Sequence, residues 1–332
     1  MATFNYAGNP FCQTAANPSP TFTGGGVAGT FTSTAGLSIN SSTGQVNLAA
    51  STPGTYTVTN SIAASGPFSS VTATATITIV APSVATFSYT GTPYCQTGGF
   101  PLPTFSGGGI PGSFSASPIG IIINSSTGVV DLSLSTPGSY TVTNTIPAGT
   151  CPSVFDTTTI VINPTPVATF SYTGTPYCTG GTNPSPTFSG GGVAGIFSST
   201  AGLVIDSTSG LIDLTSSAAG TYTVTNTIPA AGGCSAVSSS SVVTINAMPV
   251  ATFSYVGNPF CQSSTNPLPT FSGGGVAGVF SSTAGLILNS TTGLVNLSGS
   301  SLGTYTVNNV IAASGGCPAA VAFSTITINS AN

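Results

Sequence analysis

The chain has 332 residues with no Lys, Arg or His, and its only charged side chains are four aspartates, so the net charge is −4. Acid–base catalysis needs a group that titrates near the working pH, and a nucleophilic Ser or Cys needs a nearby base, so we do not expect an enzyme. The lack of Lys and Arg also argues against binding of phosphate or nucleic acid.

Metal and membrane sites are not expected either. The four carboxylates (Asp131, Asp156, Asp206 and Asp213) are scattered, whereas calcium sites need several converging oxygens. We therefore predict no metal and no cofactor. The longest apolar runs, such as 119–123, are far shorter than the ~20 residues of a membrane-spanning helix, so we predict no membrane insertion.

An internal repeat organises the whole chain. Ala-Thr-Phe begins at Ala2, Ala85, Ala168 and Ala251, a period of 83 residues. The residue before it is Val in three repeats and Met1 in the first, which suggests that the repeats come from a longer array. The period predicts four domains, at 1–83, 84–166, 167–249 and 250–332.

Each repeat contains alternating β-type runs separated by turn residues. In repeat 2 we predict an opening strand at Ala85–Tyr89, followed by Pro-Thr-Phe-Ser-Gly-Gly-Gly (Pro103–Gly109) and a short segment around Phe114. The later part of the pattern, given for repeat 1, is a hairpin of Leu37–Asn40 and Gln45–Leu48 and then strands at Gly54–Asn60 and Val71–Ile79. About seven short strands per repeat and no helical period are typical of an immunoglobulin-like sandwich. We predict an all-β chain of four tandem immunoglobulin-like β-sandwich domains in an extended rod, stiffened by prolines in the linkers.

Seven cysteines follow the same period in two registers: Cys12, Cys95, Cys178 and Cys261, and then Cys151, Cys234 and Cys317. Phe68 occupies the second register in repeat 1. We predict bridges within repeats, Cys95–Cys151, Cys178–Cys234 and Cys261–Cys317, because this pairing leaves only Cys12 free. Bridges between repeats, Cys151–Cys178 and Cys234–Cys261, are one alternative, and buried free thiols in a reducing compartment are another. Disulfides are typical of oxidising compartments.

Three recurring motifs are interpreted as structural. Tyrosines in Gly-[Thr/Ser]-Tyr-Thr-Val match a tyrosine corner: Tyr56, Tyr140, Tyr222 and Tyr305. Triple glycines, starting with Gly24–Gly26, predict bends or a close approach of a neighbouring backbone. Asn40, Asn124 and Asn289 are interpreted as turn residues, although they also lie in glycosylation sequons, as does Asn296. Thr72, Thr74, Thr76 and Thr78 are interpreted as a solvated strand face, with ordered-water binding as the alternative.

A family resemblance rests on Gly36–Gly44 (Gly-Leu-Ser-Ile-Asn-Ser-Ser-Thr-Gly) followed by Gly54–Val58 (Gly-Thr-Tyr-Thr-Val). This pattern resembles the signature of bacterial immunoglobulin-like and cadherin-like repeats. The whole 83-residue unit, with Ala-Thr-Phe-Ser-Tyr and Pro-Thr-Phe-Ser-Gly-Gly-Gly, resembles the tandem repeats of very large surface adhesins of gliding bacteria that use type IX secretion. The resemblance implies an extracellular stalk or filament. Calcium is not implied, because acidic linker motifs are missing.

Two functions follow as hypotheses for a chain on the bacterial cell surface. The first is a structural stalk or filament whose partners are neighbouring repeats of the same or identical chains, since low charge removes the repulsion that opposes assembly. The alternative is a module that binds a glycan or an abiotic surface. Its candidate contacts are the aromatic residues beside the first-register cysteines: Phe11, Tyr94, Tyr177 and Phe260.

Overall fold

A computed structural model describes residues 1–330, and every regular element in that range is a β-strand. The last two residues of the predicted fourth domain, 331 and 332, lie outside the described residues. Within 1–330, no helix is long and apolar enough to cross a membrane. The strand-only architecture confirms the predicted all-β class.

The strands recur with the period of the sequence. Repeat 1 contains β1 (Phe4–Asn5), β2 (Phe11–Cys12), β3 (Thr21–Phe22), β4 (Thr30–Ser33), β5 (Ser38–Ile39), β6 (Val46–Asn47), β7 (Gly54–Ile62) and β8 (Val71–Val80). Repeat 2 contains β9 (Phe87–Ser88), β10 (Tyr94–Cys95), β11 (Thr104–Phe105), β12 (Ser113–Ser117), β13 (Ile122–Ile123), β14 (Val130–Asp131), β15 (Gly138–Ile146) and β16 (Val154–Asn163).

Repeats 3 and 4 follow the same order. Repeat 3 contains β17 (Phe170–Ser171), β18 (Tyr177–Cys178), β19 (Thr187–Phe188), β20 (Ile196–Ser199), β21 (Gly220–Ile228) and β22 (Val237–Asn246), and its short hairpin is reduced to a bridge between Ile205 and Ile212. Repeat 4 contains β23 (Phe253–Ser254), β24 (Phe260–Cys261), β25 (Thr270–Phe271), β26 (Val279–Ser282), β27 (Ile287–Leu288), β28 (Val295–Asn296), β29 (Gly303–Ile311) and β30 (Ala320–Asn329).

Each repeat is a β-sandwich built on one four-stranded sheet. In repeat 1 the sheet order is β2-β8-β7-β4, with β2 parallel to β8 and the other pairs antiparallel. The two-stranded ladders β1–β3 and β5–β6 supply the opposing layer. The parallel strand β2 was not predicted from the sequence, because two residues between a proline and a turn carry no readable alternation.

The core of each sandwich follows from strand alternation. Along β7, Tyr56, Val58 and Asn60 are buried while Thr55 and Thr57 are exposed, as period-two geometry requires. The apolar inward residues form one cluster per repeat, which in repeat 1 comprises Phe4, Tyr6, Phe31, Val46, Leu48, Tyr56, Val58, Ile77 and Ile79. The clusters of the other repeats occupy equivalent positions. The tandem β-sandwich interpretation is thereby confirmed.

The chain divides into two compact units. The first comprises Met1–Thr165 together with Gly232–Cys234, and the second comprises Pro166–Ala231 together with the chain from Ser235 onward. The first unit therefore includes repeat 1, repeat 2 as far as Thr165, and three residues of a loop in repeat 3.

A buried asparagine ties the inner layers of each repeat together. Asn60 is completely buried, and its Nδ2 donates to the carbonyls of Ala2 and Val27, each at 2.9 Å. Its Oδ1 accepts from the amide of Gly29 at 2.7 Å. Asn144, Asn226 and Asn309 make the corresponding bonds. These asparagines replace water as partner for backbone groups that the sandwich buries.

The tyrosine-corner prediction is confirmed in all four repeats. The hydroxyl of Tyr56 donates to the carbonyl of Thr52, four residues upstream, at 2.6 Å. Tyr140, Tyr222 and Tyr305 make the same i−4 bond. The bond fixes the chain where it enters the long strand, so these tyrosines are structural.

The triple glycines and the hairpin asparagines also have the predicted backbone roles. Gly24 and Gly25 adopt positive φ, and a Cβ on Gly26 would lie 2.1 Å from the carbonyl oxygen of Thr3, so the triplet combines a bend with a close backbone approach. In the hairpin, Asn40 Oδ1 accepts from the amides of Ser42 and Thr43, both at 2.9 Å. This is an Asx turn, which explains the preference for Asn or Asp there.

Candidate functional site: the cysteine junctions

The first-register cysteines lie at the end of each sandwich where the chain leaves it. Cys95 is on β10, which runs parallel to the last strand and aligns Cys95 with Asn163, the final residue of β16. Cys12 aligns in the same way with Val80, the final residue of β8. Each short strand thus places its cysteine beside the segment that leads to the following repeat.

The second-register cysteines lie at the opposite end. Cys151 is in the loop between β15 and β16, three residues before β16 begins at Val154. Cys234 and Cys317 occupy the equivalent loops before β22 and β30. Within one repeat, therefore, the two cysteines are separated by the length of the last strand, whose ten residues span about 30 Å.

The predicted within-repeat bridges are wrong for this reason. A disulfide requires Cα atoms roughly 4.4–6.8 Å apart, which a strand-length separation excludes. The pairs Cys95–Cys151, Cys178–Cys234 and Cys261–Cys317 do not form. The alternative pairs, Cys151–Cys178 and Cys234–Cys261, do not form either.

Instead, each first-register cysteine bonds to the second-register cysteine of the next repeat. The disulfides are Cys12–Cys151, Cys95–Cys234 and Cys178–Cys317, with Cα–Cα distances of 4.8, 4.6 and 4.8 Å and a sequence separation of 139 residues in each case. Cys12, expected to be free, is therefore bonded, and Cys261, expected to be bonded, is free. A bridge of this kind needs the exit end of one repeat and the loop end of the next.

The loop that carries the second cysteine packs closely at two of these junctions. A Cβ on Gly233 would lie 2.2 Å from the carbonyl oxygen of Pro93, and a Cβ on Gly316 would lie 2.0 Å from that of Pro176. A side chain at either glycine would collide with backbone. The Gly-Gly-Cys sequence therefore permits contact between the loop and the cis-proline turn that precedes the first-register cysteine.

A side-chain amide holds the same two loops. Asn163 Nδ2 donates to the carbonyl of Gly232 at 2.8 Å, and Asn246 Nδ2 donates to that of Gly315 at 2.7 Å. The first junction differs, since Val80 replaces the asparagine and the loop reads Gly149-Thr150-Cys151. Two kinds of junction thus occur, one with Asn and Gly-Gly-Cys and one with Val and Gly-Thr-Cys.

The aromatic residues proposed as exposed contacts pack against the cores of their own repeats. Phe260 is buried, with 9% of its surface exposed, which corrects the expectation of exposure. Phe11, Tyr94 and Tyr177 are half-buried and contact the apolar clusters of repeats 1, 2 and 3. The hydroxyls of Tyr94 and Tyr177 donate to the carbonyls four residues upstream, Thr90 and Thr173.

An open depression lies beside Tyr94, lined by residues of repeat 2 and by Gly233 of the loop bonded to it. Its volume is about 480 Å³, and its apolar lining includes Phe100 and Leu102, whose side chains are 63% and 64% exposed. The other repeats have Asn at the position of Phe100, and in repeat 1 that residue, Asn17, accepts a bond from the amide of Leu48. The depression is therefore a peculiarity of one repeat rather than a site that recurs with the period.

Three of the four carboxylates, those of Asp131, Asp206 and Asp213, accept hydrogen bonds in turns. Asp206 accepts bonds from the amides of Thr208 and Ser209 and from the Ser209 hydroxyl, and these hydrogen bonds hold its pKa below the usual 3.8. Hydrogen bonds from Ser133 and Ser216 likewise lower the pKa values of Asp131 and Asp213. Within residues 1–330 no three Asp or Cys side chains are grouped to hold a metal ion.

The threonine array of β8 lies on the outer face of the sheet. Thr72, Thr74 and Thr76 are exposed, and Thr78 is half-buried with its hydroxyl 3.0 Å from that of Thr55 on the adjacent strand. The corresponding face of repeat 2 contains Phe155, which is 72% exposed. The hydroxyl pattern is thus local to repeat 1, which agrees with a solvated strand face.

Comparisons with known proteins give only distant structural likenesses. No protein-family model and no curated protein matches the chain. Among solved structures, the chain is similar to the protocadherin gammaB7 EC3-6 cis-dimer, with 13% identity, a TM-score of 0.35, and coverage of 99% of this chain and 98% of that one. It is also similar to a Ca²⁺-stabilized adhesin that helps an Antarctic bacterium bind ice, with 16% identity, a TM-score of 0.26, and coverage of 98% and 99%. A SusE-like surface-located polysaccharide-binding protein of Bacteroides thetaiotaomicron matches with 13% identity, a TM-score of 0.23, and coverage of 98% and 72%.

Proposed function

We propose that the chain is a non-catalytic extracellular structural protein, the tension-bearing stalk of a bacterial cell-surface adhesin. The observation that supports this proposal is the offset of the disulfides, each of which joins one repeat to the next at the same two positions. Such bridges add a covalent connection between neighbouring repeats through which force can pass. Bridges within repeats would only cross-link each domain to itself.

The chemistry of the bridges supports the proposed location. Disulfides persist in oxidising compartments and are rare in the cytosol of mesophiles, so three regularly placed bridges favour an exported protein. The sequence resemblance to repeats of gliding-bacterial adhesins suggests type IX export as the route. A chain with four carboxylates and no basic side chain also has few groups that would give it a pH-dependent or charge-dependent interaction.

The absence of catalysis is part of the proposal. Asp131, Asp206 and Asp213 accept hydrogen bonds in turns, and Asp156, on β16, accepts one from the amide of Thr157. The chain has no basic side chain to activate a hydroxyl or thiol. The binding-module alternative is less favoured, because its aromatic candidates contribute to the domain cores rather than to a free surface.

The stalk proposal is tested by asking whether the chain binds a surface or glycan and what particles it forms. The oxidised chain is presented to a glycan array and to silica, cellulose and mica, and is imaged by negative-stain electron microscopy under non-reducing conditions. A stalk predicts separate elongated particles of uniform length and no saturable binding. Saturable binding that survives high salt and is lost on removal of Tyr94 or Phe100 would instead establish a binding module, and continuous fibres would make the repeats themselves the assembling material.

A further inference from the structure

The end of repeat 4 at which its last strand stops, here called its exit end, is built like the exit ends of repeats 1, 2 and 3, each of which is bonded to a loop of the next repeat. The exit ends of repeats 1, 2 and 3 each bind the second-register loop of another repeat through a disulfide. Repeat 4 presents the equivalent surface: a cis-proline turn at Pro259, then Phe260 and Cys261 on β24, in parallel register with β30. Cys261 is aligned with Asn329, as Cys95 is with Asn163.

Exposure distinguishes this fourth surface from the other three. Cys12, Cys95 and Cys178 are 1%, 5% and 3% exposed, because a loop and a disulfide cover them. Cys261 is a free thiol with intermediate exposure. Asn329 is exposed, whereas Asn163 donates to a docked loop.

The side chains at the exit end also indicate which loop fits. Where the last strand ends in Asn, at Asn163 and Asn246, the docked loop reads Gly-Gly-Cys and a loop carbonyl accepts from the amide. Where it ends in Val80, the docked loop reads Gly-Thr-Cys. Because β30 ends in Asn329, repeat 4 belongs to the first class.

We propose that the exit end of repeat 4, formed by Pro259, Cys261 and Asn329, is a covalent coupling site for the Gly-Gly-Cys loop of another repeat of this type. The site continues an interface that the chain already forms three times. It extends the proposed stalk function by naming the partner, but it rests on the junction geometry and not on any adhesive role.

The coupling step is a thiol–disulfide exchange with a low-molecular-weight disulfide as oxidant. The Cys261 thiolate attacks one sulfur of the oxidant, forms a mixed disulfide and releases one small thiol. The thiolate of the incoming loop then attacks the Cys261 sulfur and releases the second small thiol. Two protein thiols are thereby oxidised to one disulfide while the small disulfide is reduced to two thiols.

The loop of repeat 1 in a second copy of the chain cannot be this partner, because two of its residues differ from the Gly-Gly-Cys sequence. This loop, Ser65-Gly66-Pro67-Phe68, aligns with Ser314-Gly315-Gly316-Cys317 of repeat 4, and both loops are closed by the same antiparallel bridge between their end residues. Phe68 is 76% exposed and offers no thiol. The double substitution Pro67→Gly/Phe68→Cys therefore converts the first loop into the sequence of the fourth.

The test uses this double variant of the full chain. Incubation with oxidised and reduced glutathione is expected to give a ladder of head-to-tail disulfide-linked oligomers on non-reducing gels, whereas the unaltered chain, with Cys261 as its one free thiol, should give nothing larger than a symmetric dimer. Non-tryptic digestion and mass spectrometry should find the peptide around position 68 joined to the peptide containing Cys261. Added Cys261→Ser should abolish the ladder, leaving at most symmetric dimers.

A misplaced thiol supplies the matched control. Ser69→Cys in the unaltered loop puts a thiol one residue away without the Gly-Gly turn, and it should couple to Cys261 at least about tenfold more slowly, because thiol exchange depends on access and alignment. Equal rates for the two variants, or a double variant that folds but forms no Cys261-linked oligomer, would overturn the proposal. Either result would leave the stalk function untouched, since that function depends on the three internal bridges.

Discussion

Stretching the oxidised chain from its two ends should reveal how little of it can extend. The covalent path that carries force runs from residue 1 to Cys12, crosses to Cys151, continues to Cys178, crosses to Cys317 and ends at residue 332. Only the stretches 1–12, 151–178 and 317–332 bear the load. Everything else lies in side branches that a force between the ends does not pull straight.

The expected magnitude follows from the reach of an extended backbone. The load-bearing stretches hold about 53 residues, which at about 3.6 Å each extend to about 190 Å. The fully reduced chain should extend to about 1,200 Å. Bridges within repeats would instead have kept only three stretches of 56 residues from being pulled straight, and the chain could then extend to about 590 Å.

Single-molecule force spectroscopy with handles at both ends distinguishes these values. We expect a final contour length near the shortest value without reductant and near the longest with it. Cys261→Ser should change neither, because Cys261 takes part in none of the bridges. An oxidised contour length near the intermediate value would refute the interlaced connectivity and the force-bearing argument built on it.

Three further predictions concern stability. Asn226→Ala leaves the amide of Gly195 and two buried carbonyls without partners, so it should destabilise repeat 3 by about 3 kcal/mol. The loss should appear as faster hydrogen exchange in β21 and β22. Thr223→Ala, on the exposed face of the same strand, should change the exchange rates little. Burial raises the pKa of Tyr6 from 10.0 to about 12, so its contribution to stability is complete below pH 10 and is lost as the pH rises towards 12. Tyr6→Phe should remove this contribution from the dependence of unfolding on alkaline pH. A dependence identical to that of the unaltered chain would contradict the prediction. Hydrogen bonds lower the pKa of Asp206 below 3.8, so its contribution to stability is present above pH 3.8 and is lost as the pH falls through the lowered value. Asp206→Asn should keep the turn and flatten the acid side of a thermal-unfolding titration, and an acid side as steep as that of the unaltered chain would contradict this assignment.

Much of the fold was predictable because it depends on local chemistry that repeats. Period-two alternation identified the long strands, Asn40 identified the hairpin turn, and Tyr56 identified the corner where the long strand begins. The same motifs recur at the same positions in all four repeats, although the residues around them differ, and this recurrence strengthens each assignment. The buried role of Asn60 was not predicted, although its recurrence in an otherwise Thr-rich strand was a signal for a polar group with fixed partners.

The junctions were not predictable by counting cysteines. The choice between pairings depends on which end of the sandwich each cysteine occupies, and that depends on the two-residue parallel strand that aligns Cys95 with Asn163. The number of free thiols could not decide the pairing, because the predicted and the observed bridges each leave one cysteine free. The missed clue lay in the fixed Gly-Gly before Cys234 and Cys317, since a loop without side chains is typical of a close contact with another backbone.

The interlaced disulfides also change what a cut in the backbone does. The three bridged loops overlap and together enclose every residue between Cys12 and Cys317, so hydrolysis of any single peptide bond in that span leaves the chain in one covalent piece. Between Cys95 and Cys151, and again between Cys178 and Cys234, each bond lies inside two loops at once. With no Lys or Arg to direct trypsin-like proteases, and with single cuts between Cys12 and Cys317 unable to separate the chain, this span is well suited to withstand proteolytic damage.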